Sequence, residues 1–313
     1  MQIFKRDNIK SGVARQSVAT IGFFDGVHRG HRFLIDEVKT QAENRNMDAM
    51  VVTFPLSPSH ILNPQSCQQF LTTAEEKIRL LHAAGIDQVV MLPFTRDLSL
   101  LSASDFMSFV KDELKVSVLV MGYDHRFGKK TDDEDVDYVE LGRGLGVKVL
   151  RCTPFSLDSN DSDKIVSSSA IRDALLRGDV EKANLGLGYD YSMEGPVVSG
   201  HQVGVQIGYP TANISVDEHK LVPANGVYAV NVIMEDGVLR NGMLNIGRRP
   251  TLDNGNDRSI EVNIFDFDGD LYGKTLRIEL RRFIRPESKF DSLEDLKRQL
   301  ETDRASIKAL IDE

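Results

Sequence analysis

The feature that most constrains this chain is a change of hydrophobic period near Tyr189. Before it, short apolar runs alternate with amphipathic helical stretches. After it, strand-like runs rich in Val, Ile and Tyr follow one another, split by glycine turns. Strand–helix alternation implies a parallel sheet covered on both faces, since each parallel crossover needs a connecting element. A succession of short strands implies a small antiparallel barrel or sandwich. Two domains are therefore predicted, residues 1–187 and 188–313, in keeping with a length of 313 residues.

In the first half the predicted strands are Val18–Ile21, Ala49–Phe54, Gln88–Leu92, Val116–Met121 and Val147–Leu150. Helices are predicted near Arg32–Glu43, Thr73–Ala84, Ala103–Leu114 and Glu134–Gly144. Thr72 or Thr73 can cap the second and Ser102 the third, by the Ser/Thr-x-x-acid pattern. Two further helices, Ser168–Leu176 and Val180–Leu187, follow a polar stretch, with Gly178 between them. The strands predicted in the second half are Met193–Val198, Gly226–Met234, Val238–Ile246, Ser259–Phe265 and Thr275–Phe283. Turns are marked by Glu235-Asp-Gly237 and Phe267-Asp-Gly-Asp270. A last helix is capped by Ser292 and carries Leu293, Leu296, Leu300, Ile307 and Leu310 as one apolar stripe.

Composition narrows the partners. A net charge of −9 argues against nucleic acid as a general partner, while leaving room for small phosphorylated ligands that need only local donors. Cys67 and Cys152 are too few for a disulfide framework, so a reducing cytoplasm is the expected compartment. Met1 to Ser11 is polar, without the apolar core of a signal peptide, and no run has the length of a membrane span.

The stretch from Val18 to His31 carries the first chemical signal. A strand ends at Gly22, a turn contains Phe24 and Asp25, and His28 and His31 stand at the mouth of a helix. Helix N-termini offer unpaired N–H groups and a positive dipole end to phosphate, and two imidazoles add donors. Gly30 between them is expected to let a phosphate approach the backbone. No nucleophile is evident, which suits a nucleoside triphosphate site. Two more segments fall at comparable places. Gly122 to Gly128 follows a strand and contains Asp124, a candidate for a ribose or polar flavin group, and Arg126, a candidate for phosphate or for pairing with Asp124. Ser167, Ser168 and Arg172 open a helix and form a second candidate anion site. In the second half, Gly208-Tyr-Pro-Thr-Ala-Asn213 places the neutral oxygens of Thr211 and Asn213 close together, the donor type that Mg²⁺ accepts beside phosphates and water. These residues alone leave the acceptor of the nucleotidyl group open.

Taken together, the chain resembles the bacterial bifunctional riboflavin kinase/FMN adenylyltransferases, or FAD synthetases. The family's Gly-x-Phe-Asp-Gly-Val-His-x-Gly-His corresponds to Gly22–His31, its Gly-x-Asp-x-Arg-Phe-Gly to Gly122–Gly128, and its Ser-Ser-Thr-x-Ile-Arg to Ser167–Arg172 with Ser169 for threonine. Its Gly-Phe-Pro-Thr-Ala-Asn corresponds to Gly208–Asn213, and its closing Arg-x-Glu-x-Lys-Phe to Arg285–Phe290. The resemblance implies an α/β nucleotidyltransferase domain with a Rossmann-like parallel sheet, then a small antiparallel β-barrel with a C-terminal helix. It implies phosphorylation of riboflavin by ATP in the barrel and transfer of AMP from ATP to FMN in the first domain, with Mg²⁺ or Mn²⁺ as the metal. On this resemblance Glu261 is the general base of the kinase. Gly204 and Gly208 meet phosphate there, and Asn245 and Arg285 meet flavin, as do Asp124 and Arg126 in the first domain. Gly22, Phe24, Asp25, Gly30, Ser167, Ser168 and Arg172 surround ATP with His28 and His31, and Thr211 and Asn213 hold the metal. Three positions depart from the pattern: Ser57 and Asn263 stand where histidine is usual, and Val205 where a basic residue is common. A chain with one surviving activity, or a flavin-binding regulator without turnover, remains an alternative reading.

Overall fold

Period-two alternation in the first half sorts side chains into two apolar layers. Ala19, Ile21, Met50, Val52, Val90, Leu119 and Met121 lie in one, and Val18, Val51, Val89, Val118 and Val120 in the other. Strands buried on both faces pair in parallel beneath helices on each side. The computed structural model describes residues 1–5, 15–57, 61, 69–129, 136–156, 165–199, 204, 207–248 and 258–311.

The parallel sheet has six strands: β1 (Gln2–Lys5), β2 (Ser17–Ile21), β3 (Asp48–Thr53), β4 (Gln88–Met91), β5 (Val116–Met121) and β6 (Lys148–Arg151), in the order β1-β4-β3-β2-β5-β6. Its helices are α1 (Arg29–Glu43), α2 (Ala74–Ala83), the short α3 (Arg96–Ser99), α4 (Ala103–Leu114) and α5 (Tyr138–Leu145). Chain order runs outward from β2 to β3 and β4, then returns to β5 on the other side. That reversal makes a crevice at the carboxyl ends of β2 and β5, where open α/β sheets receive ligands.

Three local results differ from the sequence expectations. Strand β1 was not anticipated, and it pairs in parallel with β4 from Gln2 opposite Gln88 to Lys5 opposite Met91. Helix α1 starts at Arg29 rather than near Arg32, because the His28 ring caps it. Helix α5 starts at Tyr138, capped by Asp137, whereas Glu134 lies outside the described residues. The capping box of α2 is Thr73 with Glu76, each such cap being worth about 1 kcal/mol.

The second half closes on itself. Strands β7 (Ser192–Val198), β8 (Ala212–Ile214), β9 (Gly226–Ile233), β10 (Leu239–Arg248), β11 (Arg258–Ile264) and β12 (Thr275–Arg285) form a closed antiparallel barrel in the order β10-β11-β8-β7-β12-β9. Closure removes the exposed sheet edges. The hairpin between β9 and β10 turns at Gly237, which has φ 80. Strand β8 escaped prediction, having only the three residues Ala212–Ile214.

Helices α6 (Ser168–Leu176) and α7 (Val180–Leu187) precede the barrel. The α7 side chain of Asn184 donates to Leu280 O at 2.8 Å, and Ala224 N donates to Leu175 O at 2.9 Å. Contacts divide the chain into Met1–Ser168 and Ser169–Glu313, so most of these two helices group with the barrel. The sequence had placed them with the first domain.

The last helix, α8 (Leu293–Ile311), packs Ile307 and Leu300 against Tyr209, Val227, Met243 and Phe265. Ser292 caps it, accepting from Asp295 N at 3.1 Å. Its buried stripe departs from the expected one: Leu293 is exposed, and Asp303 takes an inward position at 2% exposure.

Candidate active sites

In the first unit, the chain leaves β2 at Gly22 and turns through a one-turn 3-10 helix, Asp25–Val27. Phe24 and Val27 have φ of 53 and 36, a left-handed backbone that is strained for both residue types. A Cβ on Gly22 would stand 3.0 Å from the Phe24 ring, so this glycine lets the phenyl fold back over the strand end. His28 then caps α1: its Nδ1 accepts from His31 N at 3.3 Å. This assigns the His28 proton to Nε2.

The His31 ring stacks on His28 at a centroid distance of 3.6 Å and meets the Phe24 ring at 5.0 Å. Burial, with His28 and Lys77 close by, holds the His31 pKa well below the ordinary imidazole value. Its Nδ1 is buried without a hydrogen-bond partner among the described residues. A neutral ring with an orphaned nitrogen at the crevice is the observation that fits an incoming polar ligand.

Other residues named from the sequence prove tied to protein. Asp25 Oδ1 accepts from Leu71 N at 2.8 Å and Thr72 N at 3.2 Å, and the residue is 3% exposed. Its carbonyl accepts from Ser168 Oγ at 2.9 Å. Both contacts hold the turn after β2. The close approach at Gly30 is to the His28 ring, 3.2 Å from a built Cβ, and to Val166 O at 3.3 Å, so protein groups already fill it. Ser167 is half-buried, and Arg172 lies one turn along α6, beyond the contact division.

The loop after β5 is held at its far end. Tyr138 OH donates to Phe127 O at 2.6 Å and accepts from Phe127 N at 2.9 Å. Gly128 has φ +91, and a Cβ there would lie 2.5 Å from Ala103 N. Asp124 and Arg126 remain exposed on this loop, with His125 between them pushed down to a pKa of about 4, mainly by burial.

In the barrel, register does what no linear spacing reveals. Glu261 lies opposite Asn245 on β10 and opposite Asn213 on β8. Three polar residues from distant segments thus form one row. Thr211 Oγ1 donates to Glu261 Oε2 at 3.4 Å. Of the nearby strand arginines, Arg258 donates to the carbonyls of Val222 and Pro223, and Arg277 pairs with Glu279.

Two cavities meet at Thr211. One, of about 430 Å³, is lined by Asn213, Pro210 and the turn Phe267–Tyr272. The other, of about 230 Å³, is lined by Glu261, Asn245, Gly204, Arg285 and, from α8, Leu296 and Leu300. Gly204 admits no side chain, since a Cβ would lie 2.1 Å from Tyr209 O. Gly208 is exposed and has φ +82, serving the turn before Pro210. Asn263, where the resemblance expects histidine, donates from Nδ2 to Pro210 O at 2.7 Å and so braces the same turn. Val205 lies outside the described residues, and Ser57 is half-buried.

Arg285 lines the second cavity, but its guanidinium is committed. Nε donates to both Asp303 oxygens at 3.0 Å, and Nη2 to Oδ2 at 2.8 Å. Asp303 and Lys77 are the residues that sequence reasoning missed. Asp303 lies four residues before Ile307 on the buried stripe, a spacing visible in the sequence but masked by its charge. Among the described residues no cluster of His, Cys, Asp and Glu could hold a metal ion by itself. The hard oxygens of Thr211 and Asn213 do fit Mg²⁺ that shares its coordination with phosphates and water.

A family model described as FAD synthetase matches residues 10–170, and one described as riboflavin kinase matches residues 187–311. The bifunctional riboflavin kinase/FMN adenylyltransferase of Bacillus subtilis is 36% identical over 298 residues, covering 92% of this chain and 90% of that protein. That of Escherichia coli K12 is 34% identical over 297 residues, covering 95% and 93%. A crystal structure from Streptococcus pneumoniae, described as a macrolide-efflux protein, matches with a TM-score of 0.88 at 31% identity, over 98% of this chain and 99% of that one. Here no helix among the described residues is long and apolar enough to cross a membrane. By relatives that match along nearly its whole length, this chain belongs to the bifunctional riboflavin kinase/FMN adenylyltransferase family.

Proposed function

We propose that the barrel phosphorylates riboflavin through Glu261, and that the first unit adenylylates FMN at the mouth of α1. The chain is a bifunctional enzyme of flavin-cofactor synthesis: it converts riboflavin and ATP to FMN, and FMN and ATP to FAD and pyrophosphate. The observation that carries the residue assignment is Thr211, which lines both barrel cavities while touching Glu261. One cavity takes the nucleotide and the other the flavin, so the reacting atoms meet beside the Glu261 carboxylate.

Glu261 accepts the proton of the ribityl 5′-hydroxyl as that oxygen attacks the γ-phosphorus and ADP departs. Base catalysis of this kind contributes on the order of 10²–10⁴-fold. Thr211 and Asn213 would hold Mg²⁺, which when bound neutralises phosphate charge. Asn245 orients the flavin from the opposite end of the row, and Arg285 shapes its pocket.

In the adenylylation, an FMN phosphate oxygen attacks the α-phosphorus of ATP and pyrophosphate leaves. Protein nucleophiles are unnecessary, and catalysis is positioning with charge stabilisation. His28 Nε2–H, His31 and the first amides of α1 donate to the phosphates. Ser167 and Ser168 extend that anion site, and Asp124 and Arg126 face the flavin. Both reactions are assigned to the cytoplasm, with no nucleic acid or membrane partner.

The test supplies riboflavin or FMN with MgATP and separates the flavins by chromatography. His28→Ala should slow FAD formation from FMN by about 10²–10³, the size of one preorganised donor, and leave FMN formation from riboflavin intact. Equal loss of both activities in a folded protein would sink the division of labour. FAD from FMN alone would mean a lost kinase, and no product would mean a binding protein.

A further inference from the structure

Lys77 is a buried lysine at the carboxyl edge of the parallel sheet, and the chemistry above does not use it. It sits in the apolar stripe of α2, three residues after Ala74 and four before Leu81, and is 1% exposed. A lysine in such a position is rarely fully buried unless paired. Among the described residues its ammonium has two contacts: it donates to Phe54 O at 3.0 Å and stands 3.8 Å from the centroid of the Phe23 ring. An ammonium has three donors, and a ring face accepts positive charge without replacing an anion.

Both contacts belong to strand exits. Phe23 follows β2 within the turn that leads to His28, and Phe54 follows β3. The charge is therefore held where the two neighbouring strands open onto the crevice. A methionine or leucine would fill the same stripe without desolvating a charge.

The charged and titratable groups that interact with it are Asp25 on the turn after β2 and His31 on α1, with Glu76 preceding it on its own helix. Asp25 supports the ammonium from a distance while its Oδ1 accepts from Leu71 and Thr72, and Glu76 is engaged by Thr73 N. Lys77 in turn helps keep His31 neutral.

We propose that Lys77 is a positioning residue of the nucleotidyl-transfer site. It fixes the Gly22–Asp25 turn against the exit of β3 and sets one buried positive charge behind the paired imidazoles that receive substrate phosphate. The proposal rests on the assignment of that site to adenylylation. Burial lowers the Lys77 pKa to about 8, so the charge is present below that pH and fades above it.

The test measures kcat and KM for FAD formation from FMN between pH 6.5 and 9.5 (about, spanning the lysine transition) in wild type, Lys77→Met and Lys77→Arg. Circular dichroism and thermal melting control for folding of the first unit, and riboflavin phosphorylation controls for folding of the barrel. Lys77→Met should lower kcat/KM about 10–100-fold at neutral pH, somewhat less than the loss of a donor in direct contact. Wild type should lose activity above about pH 8, the Met variant should lack that limb, and the Arg variant should recover activity without it. Full activity in Lys77→Met overturns the proposal, as does a loss that leaves the alkaline limb in place. Should Lys77→Met fail to fold, a wild-type profile flat through pH 9 (about one unit above the lysine transition) overturns it. His28→Ala in the same assay separates the two claims: normal FAD formation there refutes the site, whatever Lys77 does.

Discussion

Arg285 and Asp303 tie the last helix to the barrel by a largely buried ion pair. Their side chains are 18% and 3% exposed. Asp303 also accepts from Gln299 at 2.8 Å. Replacing Asp303 by Ala leaves the guanidinium in a mostly buried site beside Pro286 O, at 3.1 Å, and the Phe290 ring. Breaking one half of a buried pair costs about 3–5 kcal/mol. The partial exposure of Arg285 argues for the low end, about 3 kcal/mol. With a urea slope of about 2 kcal/mol/M, the midpoint of the barrel unit should fall by about 1.5 M.

The functional consequence follows from α8, which carries Asp303 and supplies Leu296 and Leu300 to the flavin-side cavity. Riboflavin KM should therefore rise in Asp303→Ala, with FAD formation from supplied FMN unchanged. The assay follows residual riboflavin phosphorylation and FMN adenylylation separately across a urea series, because two units need not unfold together. A midpoint shift below about 0.3 M, or equal sensitivity of both activities, would refute the role given to the pair.

Glu261→Gln should reduce riboflavin phosphorylation by about 10²–10⁴-fold while sparing adenylylation of supplied FMN, as read by flavin chromatography. Gly128→Ala should lower the melting temperature of the first unit, since φ +91 and Ala103 N at 2.5 Å both exclude a methyl group; an unchanged melting temperature would contradict the described loop. His31 and His125 have native pKa values depressed below their unfolded value, His125 to about 4. The unfolded chain thus binds protons that the native unit refuses, and stability should fall as pH drops from about 6.5 toward 4. Imidazole resonances followed by NMR check this, and His125 titrating near its ordinary value would count against it.

Much of the architecture was legible in local pattern. Alternating apolar runs and capped helices announced the parallel sheet, and glycine-split strands the barrel, because a period is a property of neighbours along the chain. The elements that escaped were short. Gln2–Lys5 and Ala212–Ile214 are strands only because β4, and β7 with β11, offer them ladders. The start of α1 also went astray, since His28 acts as its cap and histidine is an uncommon one.

For the sites, the sequence by itself determined the chemical inventory and its order: paired histidines at a helix mouth, then the Thr211–Asn213 turn, then Glu261. What tertiary structure decided was which of those groups are free to act. Strand register put Asn245, Glu261 and Asn213 in one row and left Glu261 with Thr211 as its partner. Folding also drew Asp25 and Ser168 into holding a turn, and Arg285 into holding a helix. It buried Lys77, which in the sequence looks like any solvated helical lysine. The physical reason is the same throughout. Residue type sets what a side chain can donate or accept, but burial and the nearest long-range partner set whether that capacity is already used.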